Sequence, residues 1–193
     1  MNKKSAVFLD RDGTINEQRG YINHLSRFVL LPGVPQAIRR LNDHSISAVV
    51  VTNQSGLARG YFPSALLDAV HVEMKRLLAE EGAHLDGIYV CPHHPEAKIE
   101  QYRQACRCRK PQPGLIEEAA INLNLDLSRS FIVGDRWSDL ECGIRAGVRP
   151  VLVLTGYGRG ELEYIGPQKK IQPVVIAHDL SEAVERIIQL LEC

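Results

Sequence analysis

The chain carries no net charge: its 23 lysines and arginines cancel its 23 aspartates and glutamates. A protein that binds nucleic acid or an anionic membrane over a broad face needs a basic field, so composition predicts neither partner. No apolar run is long enough to cross a bilayer, and the apolar part of the N-terminal "MNKKSAVFLD" is too short for a secretory signal. Internal repeats and low-complexity tracts are also missing. The expectation is a cytoplasmic protein whose five cysteines are reduced thiols or metal ligands rather than disulfides. With 193 residues and no Pro- or Ser-rich linker, a single domain over 1–193 is expected.

What is there is an alternation of short apolar runs with longer amphipathic segments, the pattern of an α/β fold with a parallel sheet. Strands are predicted at 5–10, 47–52, 87–91, 130–134 and 150–154, with an edge strand near 173–177. Helical spacing of i, i+3, i+4, i+7 is carried by Val34, Ala37, Ile38 and Leu41, and by Leu67, Val70, Met74, Leu77 and Leu78. It recurs in Leu115, Ile116, Ala119, Ala120 and Leu123, and over 180–192 in Val184, Ile187, Ile188 and Leu191. These stripes are core faces. Two intervals resist assignment: 13–32, expected to be a hairpin or loop at the sheet edge, and 92–112, an irregular connection long enough to need something to hold it.

Chemistry gathers where the strands stop. "FLDRDGT" ends the first strand in Asp10 and Asp12, and "VVVTNQSG" ends the second in Thr52 and Asn53. "RCRKPQPG" brings Lys110 after the third, and "FIVGDRWSD" ends the fourth in Asp135, with Asp139 four residues on. Taken singly these are ordinary turn sequences. Taken together they put carboxylates, a hydroxyl and a lysine on one sheet edge, which suits phosphoryl transfer.

In that order the four segments resemble the motifs of the haloacid dehalogenase superfamily of phosphatases, over roughly residues 6–155. The resemblance implies a doubly wound, Rossmann-like parallel sheet and a set of roles. Asp10 would be the carboxylate nucleophile that forms an aspartyl-phosphate, and Asp12 the general acid and then base. Thr52 and Lys110 would hold the phosphoryl oxygens. Mg²⁺ would sit on the Asp10 carboxylate, the Asp12 backbone carbonyl and Asp135, with Asp139 either behind this shell or starting a helix. Caps in this superfamily are inserted after the first motif or between the second and third, and here neither interval has room for one.

Cys91, His93, Cys106 and Cys108 spell C-x-H…C-x-C across the irregular loop, which is too poor in apolar residues to bury thiols. Three thiolates and one imidazole close a tetrahedral Zn²⁺ shell, so a structural zinc staple is expected. His94 is a rival ligand, with His93 favoured by the resemblance. Cys142 reads as a small hydrophobe on a helix, and Cys193 is terminal.

"NQSGLARGYF", the "RGYI" of 19–22, and the twelve residues between His93 and Cys106 are similar to the heptose 1,7-bisphosphate 7-phosphatase family, in the histidinol-phosphatase-like branch. That likeness implies a small sugar bisphosphate as substrate and a place in making the ADP-heptose of lipopolysaccharide core; a monomer is expected. Gln18, Arg19, Gly20 and Tyr21, with Asn53, Gln54, Ser55, Arg109 and Arg136, would contact substrate. Lysine is common in relatives where Arg136 stands. Histidinol phosphate remains the alternative substrate.

Overall fold

The computed structural model describes residues 3–192; Cys193 lies outside them. Six strands form one sheet: β1 (Ala6–Leu9), β2 (Ser47–Asn53), β3 (Gly87–Cys91), β4 (Phe131–Gly134), β5 (Arg149–Val153) and β6 (Val175–Ala177). Their order is β3-β2-β1-β4-β5-β6, every pair parallel. All six lie within one or two residues of the predicted positions. They were legible because a parallel sheet covered on both faces makes its strands apolar throughout.

The helices among the described residues are α1 (Val34–Asp43), α2 (Ser55–Ala58), α3 (Ser64–Glu80), α4 (Gly114–Asn122), α5 (Trp137–Ala146), α6 (Gly158–Gly160) and α7 (Leu180–Glu192). Strand residues alternate between two cores, as the two-residue period demands. Val7, Leu9, Val50 and Val133 face Ile38 and Leu41 of α1, Met74 of α3 and Ile187 of α7. Phe8, Val49, Val51 and Ile132 face Leu115 and Ile116 of α4 and Cys142 of α5. Each predicted stripe is buried as expected, apart from Leu77, Ala120, Leu123 and Leu191, which are partly covered at the rims. No described helix is long and apolar enough to cross a membrane.

Interval 13–32 is a hairpin-like flap. Glu17 N–H donates to the Val29 carbonyl at 2.9 Å and Leu31 N–H to that of Ile15 at 2.9 Å, while Ile15, Ile22 and Phe28 are buried in the core. Interval 92–112 holds only the 3₁₀ turn Glu100–Tyr102. Two helical stretches were not expected: the single turn of α2, and α6, which runs into a π turn over Glu161–Ile165 and a 3₁₀ turn over Gly166–Gln168. The second is held from outside, with Glu161 Oε2 accepting the Trp137 N–H at 2.7 Å and Gly166 lying against the Trp137 ring.

Strand order reverses at β1, between β2 and β4, and the carboxyl edge at such a switch point is where open α/β sheets bind ligands. Register places Leu9 beside Val50 and Val133, and Asn53 beside Cys91. The residues just beyond these positions therefore emerge together on one edge.

Candidate active site

Asp10 leaves β1 with its carboxylate 2.8 Å from Lys110 Nζ. The same ammonium lies 2.7 Å from Asp139 and donates to the Val51 carbonyl at 2.9 Å. Lys110 is nearly fully buried. Burial alone would lower its pKa, but the charges of Asp10 and Asp139 outweigh it and raise the value. Burial pushes Asp10 up to about 6, with the Asp139 and Asp12 charges adding and Lys110 opposing.

Asn53 fixes where the lysine stands. Its amide accepts from the Lys110 N–H at 3.1 Å and donates to the Lys110 carbonyl at 3.2 Å, latching the long loop to the end of β2. Asp139 sits in the first turn of α5, where its second oxygen accepts the Arg136 N–H at 3.1 Å. Both of its oxygens are therefore engaged.

Asp135 is fully buried just past β4. Its Oδ2 accepts the Tyr157 N–H at 2.8 Å, while its Oδ1 has no hydrogen-bond partner. Burial, and then the charges of Asp10 and Asp139, push it up to about 8. The backbone crowds it so closely that a Cβ on Gly13 or Gly156 would come within 2.1 Å of Oδ2, and both glycines have positive φ. Carboxylate oxygens of Asp10, Asp135 and Asp139 all lie within 4.8 Å of one another. Three carboxylates against one ammonium leave the site short of positive charge, and with Asp135 Oδ1 free of hydrogen bonds a hard divalent ion fits there.

Asp12 is gripped from three sides. Arg11 Nη2 lies 2.8 and 3.0 Å from its two oxygens, Asn16 Nδ2 donates at 3.0 Å and Gln54 Nε2 at 2.8 Å. Gln54 also donates to Thr52 Oγ1 at 2.9 Å. Arg11 was not among the residues singled out from sequence. It is 2% exposed, and its Nη1 lies 3.4 Å from Nε2 of His71 on α3. Burial, and then the Arg11 charge, lower His71 to about 4, so the ring is neutral near pH 7 and accepts from the guanidinium. An arginine framed by two aspartates at a buried strand end was the available signal, because a buried guanidinium needs a carboxylate partner.

These groups open into a cavity of about 460 Å³. Asp10, Asp12, Thr52 and Lys110 form its floor. Gln18, Gly20 and Tyr21 line it from the flap, and Asn53, Gln54 and Ser55 from the start of α2. Arg109 and Arg136 complete the predicted set, with Arg136 stacked 4.0 Å over the Tyr157 ring. The Arg19 side chain is the exception. It pairs with Glu17 at 2.5 Å and stands outside the cavity, where a local carboxylate has claimed it. Arg59, Ser138 and Tyr157 also line the pocket and were not foreseen.

Beside the pocket, the Cys91, Cys106 and Cys108 sulfurs lie 3.1–3.5 Å from one another, and His93 Nδ1 lies 3.3 Å from Cys108 and 3.9 Å from Cys91. Zn–S bonds of about 2.3 Å span a tetrahedron with edges of about 3.8 Å, close to these separations. His94 turns away from the cluster, with Nε2 3.1 Å from Arg59 Nη2, so His93 rather than His94 joins the thiols. Cys142 is buried with its sulfur 3.2 Å from the Gln112 carbonyl, the inert packing expected of it.

The HAD-hydrolase-like family model matches residues 107–183. The chain is 45% identical over 152 residues to the D-glycero-beta-D-manno-heptose-1,7-bisphosphate 7-phosphatase of Escherichia coli K12, covering 78% of this chain and 80% of that one. It is 46% identical to the Salmonella typhi protein of the same name, over 78% of this chain and 81% of that one. Among solved structures, the D,D-heptose 1,7-bisphosphate phosphatase of B. bronchiseptica, complexed with magnesium and phosphate, superposes with a TM-score of 0.85 at 37% identity, covering 96% of this chain and 99% of that one. With its parallel sheet, its aspartate pair and this degree of identity, the chain belongs to the haloacid dehalogenase-like hydrolases, in the family of the D-glycero-beta-D-manno-heptose-1,7-bisphosphate 7-phosphatases.

Proposed function

We propose that this protein removes the 7-phosphate of D-glycero-D-manno-heptose 1,7-bisphosphate through an aspartyl-phosphate on Asp10, in the making of ADP-heptose for lipopolysaccharide core. The observation that carries the reading is the contrast within one cavity. Its floor holds Asp10, salt-bridged to Lys110, and its walls hold Arg59, Arg109 and Arg136, none of which is ion-paired to a carboxylate of the described residues. A phosphate at the floor and a second one at the wall satisfy both.

Asp10 attacks phosphorus, and the bond to the sugar oxygen breaks as that oxygen takes the Asp12 proton. Asp12, now ionised, draws a proton from water, which cleaves the acyl-phosphate and regenerates Asp10. Arg11, Asn16 and Gln54 hold the Asp12 carboxylate in place for both steps. Thr52 and Lys110 hold the non-bridging oxygens, and Lys110 also keeps Asp10 from rotating away. Mg²⁺ would be held by the Asp10 and Asp135 carboxylates and the Asp12 carbonyl, and would supply the positive charge that lets an anionic nucleophile meet an anionic ester. Zn²⁺ on Cys91, His93, Cys106 and Cys108 would be structural, and Cys108 would hand its order to Arg109 and Lys110. Substrate contacts come from Gln18, Gly20, Tyr21, Ser55, Arg109 and Arg136, with Arg19 contributing main chain only. The enzyme acts in the cytoplasm as a monomer of one domain.

The test is product analysis by phosphorus NMR. The 7-phosphate resonance should disappear while the 1-phosphate stays, with Asp10→Asn inert. Release of the 1-phosphate instead would reverse the assigned orientation of substrate.

A further inference from the structure

His71, half-buried on α3, is among neither the residues expected from sequence nor those lining the cavity. Its ring is nonetheless the one acceptor besides Asp12 that the Arg11 guanidinium finds among the described residues. Arg11 is 2% exposed, and its five N–H donors carry protons at every working pH. Nη2 serves both Asp12 oxygens, at 2.8 and 3.0 Å. Nε is buried without a hydrogen-bond partner, and Nη1 makes a long contact of 3.4 Å with His71 Nε2. Because a guanidinium only donates, Nε2 is the acceptor and the ring proton is on Nδ1. Burial and the Arg11 charge both favour this neutral ring.

The contact decides how Arg11 meets Asp12. A guanidinium left to itself grips a carboxylate as a fork, with two nitrogens on two oxygens. Here a single nitrogen straddles both oxygens, since Nη1 is turned to His71. That leaves room for Asn16 to donate to Oδ1 and Gln54 to Oδ2. Without the acceptor, Nη1 is free to swing onto Asp12, compete with those amides and rotate the carboxyl. The support behind His71 is rigid, because Val70 and Met74 of the same helix are buried in the core.

We propose that His71 is a positioning residue for departure of the leaving group: by accepting from Nη1 it sets the plane of Arg11, and through Arg11 the orientation in which Asp12 meets the sugar oxygen. The inference rests on the reading of Asp12 as general acid given above. It gives α3 a part in the chemistry although the helix lines no part of the cavity. It also accounts for a histidine on a helix whose other inward residues are apolar.

The experiment measures kcat and KM on the heptose bisphosphate and on an activated aryl phosphate, in wild type, H71L, H71Q and D12N. H71L removes the acceptor, and should lower kcat on the sugar phosphate about 10-fold while KM, and kcat on the aryl ester, stay within about 2-fold. H71Q places an amide oxygen near the former Nε2 and should recover most of the loss. Equal losses of H71L on both substrates, an unchanged kcat, or a glutamine no better than leucine would overturn the positioning role. If D12N itself slows both substrates equally, the acid reading falls and the proposal with it; a split in D12N that H71L does not share refutes the proposal alone. Imidazole ¹⁵N NMR of the wild type at pH 7 gives a check that needs no variant to fold. It should show His71 protonated at Nδ1 and bare at Nε2, and a ring protonated at Nε2 would rule the contact out.

Discussion

Replacing Lys110 by methionine keeps most of its volume and removes its charge, leaving Asp10 and Asp139 without the cation between them. The lysine and Asp139 side chains are 3% and 1% exposed and Asp10 is 11% exposed, so water screens the two carboxylates poorly. Breaking a buried ion pair from one side costs about 3–5 kcal/mol. The variant should lose that much stability in urea unfolding at pH 8 with chelator present. The loss depends on pH, and its sign is set by linkage. Asp10 is already raised to about 6 in the folded protein, above the ordinary carboxylate value, and without the opposing Lys110 charge it rises further. A raised carboxylate contributes stability that is full below its unfolded pKa and is lost as pH rises through the folded one. The deficit against wild type should therefore be small near pH 4.5 and grow toward pH 8. Adding Asp139→Asn should restore part of it, since one of the orphaned charges is then gone. A loss under 1 kcal/mol that does not change with pH would refute the picture of Lys110 as the neutralising centre.

Asp12→Asn should slow turnover of sugar phosphates far more than of an activated aryl phosphate, whose leaving group needs no proton; equal losses in kcat would remove Asp12 as the acid. Arg109→Ala should cut the preference for bisphosphate over monophosphate by about 1.5–3 kcal/mol, measured as a ratio of kcat/KM values, and an unchanged ratio would return Arg109 to a purely loop-stabilising role. Stripping zinc should raise hydrogen exchange across residues 92–109 while the strands stay protected, and protein purified under reducing conditions without zinc would contradict the staple. Removing Mg²⁺ alone should stop turnover reversibly with the melting temperature nearly unchanged; activity persisting in chelator would exclude a catalytic metal.

The strands and most helices could be read from the chain because Val-rich runs and stripes such as Val34–Leu41 report burial directly. Asp10, Thr52, Lys110 and Asp135 could be found because parallel strands all deliver their C-terminal ends to one sheet edge, whatever the loops do. The cysteine and histidine spacing was legible for a similar reason: ligands must be close in sequence or in register, and Cys91 pairs with Asn53 in the sheet. Other features depend on contacts that no local pattern encodes. Arg11 looked like a spacer between two aspartates until burial forced it onto Asp12. Arg59 is one letter in a Gly-rich turn, given meaning by His94, thirty-five residues on. The helical turns over 158–168 contain three glycines and are kept in place by Trp137 and Glu161 rather than by propensity. Arg19 shows the reverse case, a residue with the right neighbours whose side chain a nearby glutamate has taken.

Hydrolysis of a sugar bisphosphate at this site is tested most directly by kcat/KM with saturating Mg²⁺ on heptose 1,7-bisphosphate, fructose 1,6-bisphosphate and histidinol phosphate, assayed side by side. The heptose bisphosphate should exceed histidinol phosphate by at least ~100-fold, because histidinol phosphate has no second phosphate for the arginine wall, and fructose 1,6-bisphosphate should fall between them. Histidinol phosphate turned over as well as or better than the heptose bisphosphate would contradict the claim.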